Sequence, residues 1–259
     1  MDFSLLPALS GILIFRFQKF IPPPIYLEHA LLFCLERIMK NKIFALSIIL
    51  ILTLILGALL NIKTTTKQGI NYHITEVELP LYLKLLNFYD RHFNYKWLAE
   101  HITKDLETKE EKVFRLFQWT HETIQPQPKS LPIMDDHVWN VYVRGYGVND
   151  NFHDLFTTLC NYIGVDAFIL KLNSNDSEPA IAMSFVKIKK GWVLFDPHKG
   201  IYFSNKMGEW ATIEEINNQN WKLEKLSPTE IPESFFKPYL DKLPNIDKIG
   251  LNRANTQSP

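Results

Sequence analysis

Residues 145–165 read GYGVNDNFHDLFTTLCNYIGV, and this stretch decides how the rest of the chain is read. Phe152, Leu155, Phe156, Leu159, Cys160 and Ile163 recur at i, i+3, i+4, i+7, i+8 and i+11, the spacing of one apolar helix face. Gly145-Tyr146-Gly147 forms a turn before the helix, and Asn149 or Asp150 is expected to cap its start. Gly164 stands where such a helix stops. A helix this one-sided must bury its apolar face against other elements, so its neighbours in sequence are read next.

Upstream, Pro126, Pro128 and Pro132 mark a loop, and residues 138–144 form a short apolar-rich segment. Thr108-Lys109-Glu110-Glu111 is a capping box, after which Val113, Leu116, Phe117, Thr120 and Ile124 share one helical face. Pro80 opens a helical region with Leu83, Leu86 and Phe88, and Trp97, Leu98 and Ile102 suggest another helix. Downstream, residues 167–172, 180–188 and 191–196 read as strands, the last two joined by a tight turn at Lys189-Lys190-Gly191. Residues 173–178 are a polar loop, 212–216 and 232–243 short helices, and 244–259 a loose polar tail. Helices followed by antiparallel strands define an α+β domain.

The 259 residues carry formal net charge +0, and no basic stripe appears, so no nucleic-acid partner is expected. Six Trp and eighteen Phe allow a sizeable core. The two cysteines, Cys34 and Cys160, give neither a disulfide framework nor a CxxC knuckle, and no metal or cofactor is expected.

The apolar run 43–62 contains no charge until Lys63. Twenty helical residues cover about 30 Å, the hydrocarbon thickness of a bilayer. Gly57 and the β-branched residues are acceptable inside lipid. Arg37, Lys40 and Lys42 precede the run, and Lys63 and Lys67 follow it. That slight bias favours a cytoplasmic N-terminus and an outer C-terminus. A cleaved signal peptide is the competing reading. Against it stand the length of the run and the lack of a small-x-small cleavage site. Leu5 to Phe15 is too short to span, and Pro22, Pro23 and Pro24 break any helix there. The expected organisation is an N-terminal extension (1–38), a membrane anchor (39–62), a polar linker (63–75), the α+β domain (76–243) and the tail (244–259).

The ordered set of helix, capped helix, Gly-turn, helix and strands ending in Trp-x-x-x-Asp-Pro resembles the transglutaminase-like superfamily, whose fold is shared with papain-like cysteine proteases. The residues that carry the resemblance are Glu111-Lys112-Val113 through Trp119-Thr120 and Ile124, Gly145 through Asp150, Leu155-Phe156 through Ile163-Gly164-Val165, and Gly191 through Pro197. Together they cover about residues 80–205. The resemblance implies N-terminal helices packed on an antiparallel sheet and, in active members, a Cys–His–Asp triad. There the positive helix end favours the thiolate, and the Asp orients the His that acts as base. Counted back from Ile163-Gly164-Val165, the Cys position falls on Asn149, which cannot act as a thiol nucleophile. Cys160 lies eleven residues on, roughly 16 Å along the helix and on its apolar face, and is expected in the core. Residues 180–188 contain no His. The hairpin sets Met183 or Phe185 opposite Asp196, with Ile181 on the same face, and a one-residue slip offers Ser184. Asp196 matches the triad Asp, and with Pro197 it also suits a strand-ending turn.

His153 lies one helical turn after Asn149 and can face the same cleft, and His198 lies two residues past Asp196. Asp150 and Asp154 are close by, and His137 follows Asp135 and Asp136. A His153–Asp196–His198 cluster has the chemistry for acid–base work or metal binding, but no HxxxH or HExxH spacing exists, and a satisfied polar cleft is the competing reading. Arg144 and Tyr146 suit an anionic or sugar-like ligand, or else a solvated Arg beside a packed Tyr. Trp139, Trp192 and Trp210 suit a sugar platform or core packing. The function expected from all this is a single-pass, extracytoplasmic module at a bacterial inner or plasma membrane. It would lack Cys-dependent activity and bind a peptide, a glycan or an envelope protein. The alternative is a hydrolase or transferase with a site rebuilt around Asn149, His153, Asp196 and His198.

Met39-Lys40-Asn41-Lys42 ahead of the apolar run reads as a natural start, so translation is expected to begin at Met39, with 1–38 an over-called extension. The intact mass of the purified protein should match a chain from Met39; a mass that includes Met1 overturns this.

Overall fold

The computed structural model describes residues 24–68, 75–133, 137–174, 179–228, 230–241, 243–244 and 246. Leu5 to Phe15, Asp135, Asp136 and residues 247–259, all read above in the sequence, lie outside them. The chain divides into two compact units, Met1–Ile62 and Lys63–Pro259.

In the first unit, helix α1 spans Pro24–Asn61. Proline fits its first position, where the missing N–H has no intrahelical partner to lose. The helix runs unbroken through position 38, so the expected division between extension and anchor does not coincide with a helix end. Its segment Met39–Asn61 is long and apolar enough to cross a membrane, and none of it is buried. The polar side chains within it bond inside the helix. Ser47 Oγ donates to Ile43 O at 2.9 Å, Thr53 Oγ1 to Ile49 O at 2.8 Å and Asn61 Nδ2 to Gly57 O at 2.7 Å. A segment that satisfies its own polar groups in this way can sit in hydrocarbon.

In the second unit, residues 63–68 of the expected linker form a strand, and 69–74 lie outside the described residues. Strand β1 (Lys63–Gln68) pairs antiparallel with β2 (Thr75–Pro80), Lys63 lying opposite Pro80. The three consecutive Thr residues that read as polar linker are β-branched, and an exposed two-stranded ribbon accommodates them. Helix α2 (Leu81–Thr103) follows as one continuous helix rather than two. Its Tyr95, Leu98 and Ala99 are buried.

Helix α3 (Lys109–Thr123) has the predicted capping box: Glu111 N donates to Thr108 Oγ1, and Thr108 N donates to Glu111 Oε2 at 3.0 Å. The two-residue strand β3 (Gln125–Pro126) pairs parallel with β4 (Tyr146–Gly147), and between them residues 138–144 form helix α4 (Val138–Arg144). Gly145 ends α4 in the left-handed region, at φ 74°.

Helix α5 (Asn149–Tyr162) is the helix read first in the sequence. Neither Asn149 nor Asp150 caps it. Asn151, one position further on, accepts the Val148 N–H through Oδ1 at 3.0 Å. Gly164 ends the turn after it with φ +73°.

Strands β5 (Ala167–Leu172), β6 (Ile181–Ile188), β7 (Gly191–Asp196), β8 (Ile201–Ser204) and β9 (Lys222–Lys225) form one antiparallel sheet in chain order. The last two were not anticipated. Helix α6 (Ile213–Asn217) is capped by Thr212, and a 3-10 turn (Glu233–Phe235) and helix α7 (Lys237–Leu240) lie within the predicted 232–243 region.

The sheet is covered on both faces, which gives three layers. Val186, Val193 and Phe195 pack with α2, α3 and α5 in one core. Met183, Phe185, Leu194 and Phe203 pack in a second core with Ile216, Phe236 and Leu240. Successive β6 side chains therefore alternate between two apolar environments, and Ile181 to Val186 are all buried. Ile246, placed in the loose tail by the sequence, belongs to the second core.

Candidate functional site

The face of β6 turned toward α5 carries even-numbered residues, not Ile181, Met183 and Phe185. The register sets Ser184 opposite Phe195, which leaves Met183 level with Asp196. Met183 and Phe185 nonetheless pack in the second core. The strand alternation thus presents Ser184, the choice offered by a one-residue slip, to the helix layer.

His153, in the first turns of α5, meets Ser184 there: Nδ1 and Ser184 Oγ are 2.9 Å apart. On the other side of the ring, Nε2 lies 3.6 Å from Asp196 Oδ1. This is an ion-pair distance rather than a hydrogen bond, and Nε2 has no hydrogen-bond partner. Asp196 is held instead by Lys199, whose N–H donates to Oδ1 at 2.9 Å and whose Nζ donates to Oδ2 at 2.8 Å. Asp196 is thus the turn-forming residue that Asp-Pro suggests.

His153, Ser184 and Asp196 are all 0% exposed. Burial lowers the His153 pKa to about 4. Asp196 pulls the other way, but desolvation outweighs it, and Lys199 beside Asp196 adds to the lowering. The imidazole is therefore neutral at physiological pH.

The other sequence candidates are dispersed around this group. Asn149 is the first residue of α5, and its Oδ1 is buried without a hydrogen-bond partner. Asp150 Oδ2 lies 3.4 Å from Lys171 Nζ. His198 stacks edge-on against Phe152 at 4.8 Å, with Nδ1 unpartnered and its pKa lowered chiefly by burial. His121, which the sequence reading did not single out, approaches Pro197 O through Nδ1 at 3.1 Å. The structure thus joins His153 to Asp196 and leaves His198 on Phe152. Among the described residues no group of three or more His, Cys, Asp or Glu is placed to hold a metal ion.

Arg144 donates through Nε to Tyr146 O at 2.9 Å and lies over the Tyr146 ring. Trp139, Trp192 and Trp210 all pack against the cores. Cys160 is free, 0% exposed and has its pKa raised by burial.

Ser184 and Lys199 are the partners that sequence reasoning did not assign. For Lys199 a signal existed, since an Asp that ends a strand commonly accepts backbone N–H groups two or three residues on. Ser184 became identifiable only with the sheet register.

A helix start packed over an antiparallel hairpin that ends in Asp-Pro is the arrangement the sequence resemblance leads one to expect. The model for the transglutaminase-like superfamily matches residues 96–197, so this part of the chain is a transglutaminase-like domain. Among solved structures, the chain is similar to a proposed cysteine protease from Cytophaga hutchinsonii (15% identity, TM-score 0.37, 56% of this chain and 55% of that one). It is also similar to a proposed protease from Parabacteroides distasonis (13%, TM-score 0.34, 65% and 40%) and to a TGase (14%, TM-score 0.32, 51% and 43%). The chain thus spans between 40% and 55% of the length of these structures. No curated protein matches it.

Two outcomes follow from the buried imidazole. Ser184→Ala leaves Nδ1 of a fully buried ring without its partner and should cost about 1–3 kcal/mol in denaturant unfolding. Unfolding of this unit can be followed by Trp fluorescence, since all six Trp lie in it.

The second outcome is a pH dependence. The ordinary His value of 6.5 is lowered to about 4 in the fold. Between those values the unfolded chain binds a proton that the folded chain does not. The contribution to stability is therefore full above pH 6.5 and is lost as pH falls toward 4, up to about 3 kcal/mol. The unfolding midpoint should fall across that window, and His153→Gln should flatten most of the slope. An unchanged slope would refute the assignment.

Proposed function

We propose that this protein is a membrane-anchored, transglutaminase-like binding module without thiol-dependent chemistry. Segment Met39–Asn61 would hold it in a bacterial inner or plasma membrane, with the domain on the extracytoplasmic side. There it would bind a peptide or glycan, or scaffold an envelope protein.

The observation that carries this reading is Asn149. It stands at the first residue of α5, where the superfamily resemblance calls for the nucleophile. The thiol on the same helix, Cys160, is buried in the core with its pKa raised. A thiol in that setting stays protonated and shielded, and it has neither the ionisation nor the access that nucleophilic catalysis needs.

A second reading is favoured by one observation, the sequence Ser184 Oγ, His153 and Asp196 with separations of 2.9 and 3.6 Å. These are the residue types of a hydrolase triad. Their complete burial favours a structural role, since no substrate carbonyl reaches a side chain that water does not.

The test uses the full chain in detergent or vesicles. It should incorporate no biotin-amine into a glutamine peptide and should take up neither iodoacetamide at Cys160 nor fluorophosphonate at Ser184. Soluble cell-wall glycopeptide fragments should bind saturably by calorimetry. Transamidation abolished by Cys160→Ala, or fluorophosphonate labelling abolished by Ser184→Ala, would replace the binding reading with a catalytic one.

A further inference from the structure

Helix α2 has two apolar faces, and only one is used by the fold. Tyr95, Leu98 and Ala99 are buried in the core. On the far side, Tyr82, Leu86, Tyr89, Phe93 and Trp97 follow at i, i+4, i+7, i+11 and i+15, with Leu85 beside them. Leu86 is 60%, Phe93 63% and Trp97 57% exposed. From Tyr82 to Trp97 the stripe runs about 22 Å along the helix, and the exposed Glu100 follows on the same side. A contiguous exposed patch of large apolar side chains marks a contact surface, because it is costly to leave in water.

We infer that this stripe lies on the lipid surface beside the point where the chain leaves the membrane. The inference rests on the reading of Met39–Asn61 as a span. Lys63, two residues past the end of that segment, pairs directly with Pro80 in the β1–β2 ribbon. Paired strands are about 5 Å apart, so the first residue of α2 is held next to the exit point although many residues intervene in sequence. Lys84 Nζ donates to Thr65 O at 3.1 Å and ties the first turn of α2 to the same ribbon.

The composition of the stripe suits that location. Tyr82, Tyr89 and Trp97 combine apolar rings with polar tips, the side chains enriched at membrane–water interfaces, and Leu85, Leu86 and Phe93 supply the apolar surface between them. A helix whose outer face enters the headgroup region and whose inner face enters the domain core would set the orientation of the domain against the bilayer.

The test places an environment-sensitive NBD probe on single cysteines in the full chain, in a Cys34→Ser background. Cys160 is buried and should not label. The protein is reconstituted in phosphatidylcholine/phosphatidylglycerol vesicles and its flotation with them is checked first. Probes at Leu86→Cys and Phe93→Cys should emit to the blue and lose emission several-fold with lipids spin-labelled near the headgroup. The probe at Asn87→Cys, off the stripe, should stay accessible to aqueous iodide. If the protein floats but the stripe probes are as iodide-accessible as the one at Asn87, the inference falls and the anchor stands. Stripe probes shielded from iodide yet unquenched by spin-labelled lipid would assign the surface to a second copy or another protein, and also overturn it. Failure to float overturns the anchor and this inference together.

Discussion

Helix α5 is surrounded by protein along most of its length: every residue from Asp150 to Cys160 is buried. Its apolar residues meet α2 and α3 on one side and the sheet on the other, in a single core. Its polar residues have no water to turn to, so each must find a partner inside the fold or remain unpaired at a cost. Thr157 Oγ1 donates to His153 O at 2.8 Å, and Asn161 bonds both the N–H and the carbonyl of Ala167. The Asn161 contacts, with Ser184 on His153, tie the helix to the sheet. The neighbouring elements are then placed by what they cover.

That constraint explains the state of the site. An imidazole sealed between a helix and a sheet is neutral, because the desolvation of its cation exceeds the attraction of one carboxylate already bonded twice by Lys199. Residue types that elsewhere perform acid–base chemistry here join a helix to a sheet. The arrangement resembles a hydrolase triad in composition, but not in access. Asn149 stands at the helix start, and the His153, Ser184 and Asp196 side chains further in are closed to water.

The same economy is absent from α2. Helix layers in such a domain normally bury one stripe and solvate the other. Here the outer side also carries large exposed apolar side chains, Leu86, Phe93 and Trp97 among them, and Pro80, just before the helix, pairs with Lys63. Polar side chains inside α1 bond within the helix, and large apolar side chains on α2 stand exposed.

What was legible in the sequence was local. The apolar periodicity of α5, the Thr108–Glu111 box, the strands 167–172 and 191–196, the apolar segment in α1 and the ordered set that carries the superfamily all depend on residues within a few turns of one another. Residues 63–68 read as polar linker because the run has no apolar alternation, and only its pairing with β2 shows it to be a strand. Strands β8 and β9, four residues each, are too short to show a clear period. The sequence alone placed Asn149 at the helix start and paired His153 with Asp196 as a possibility. Only the tertiary structure decided that Ser184 is the partner of His153, that Lys199 occupies Asp196, and that the group is closed to water. Those outcomes turn on sheet register and on burial, and both arise when distant segments meet rather than from any short run of residues.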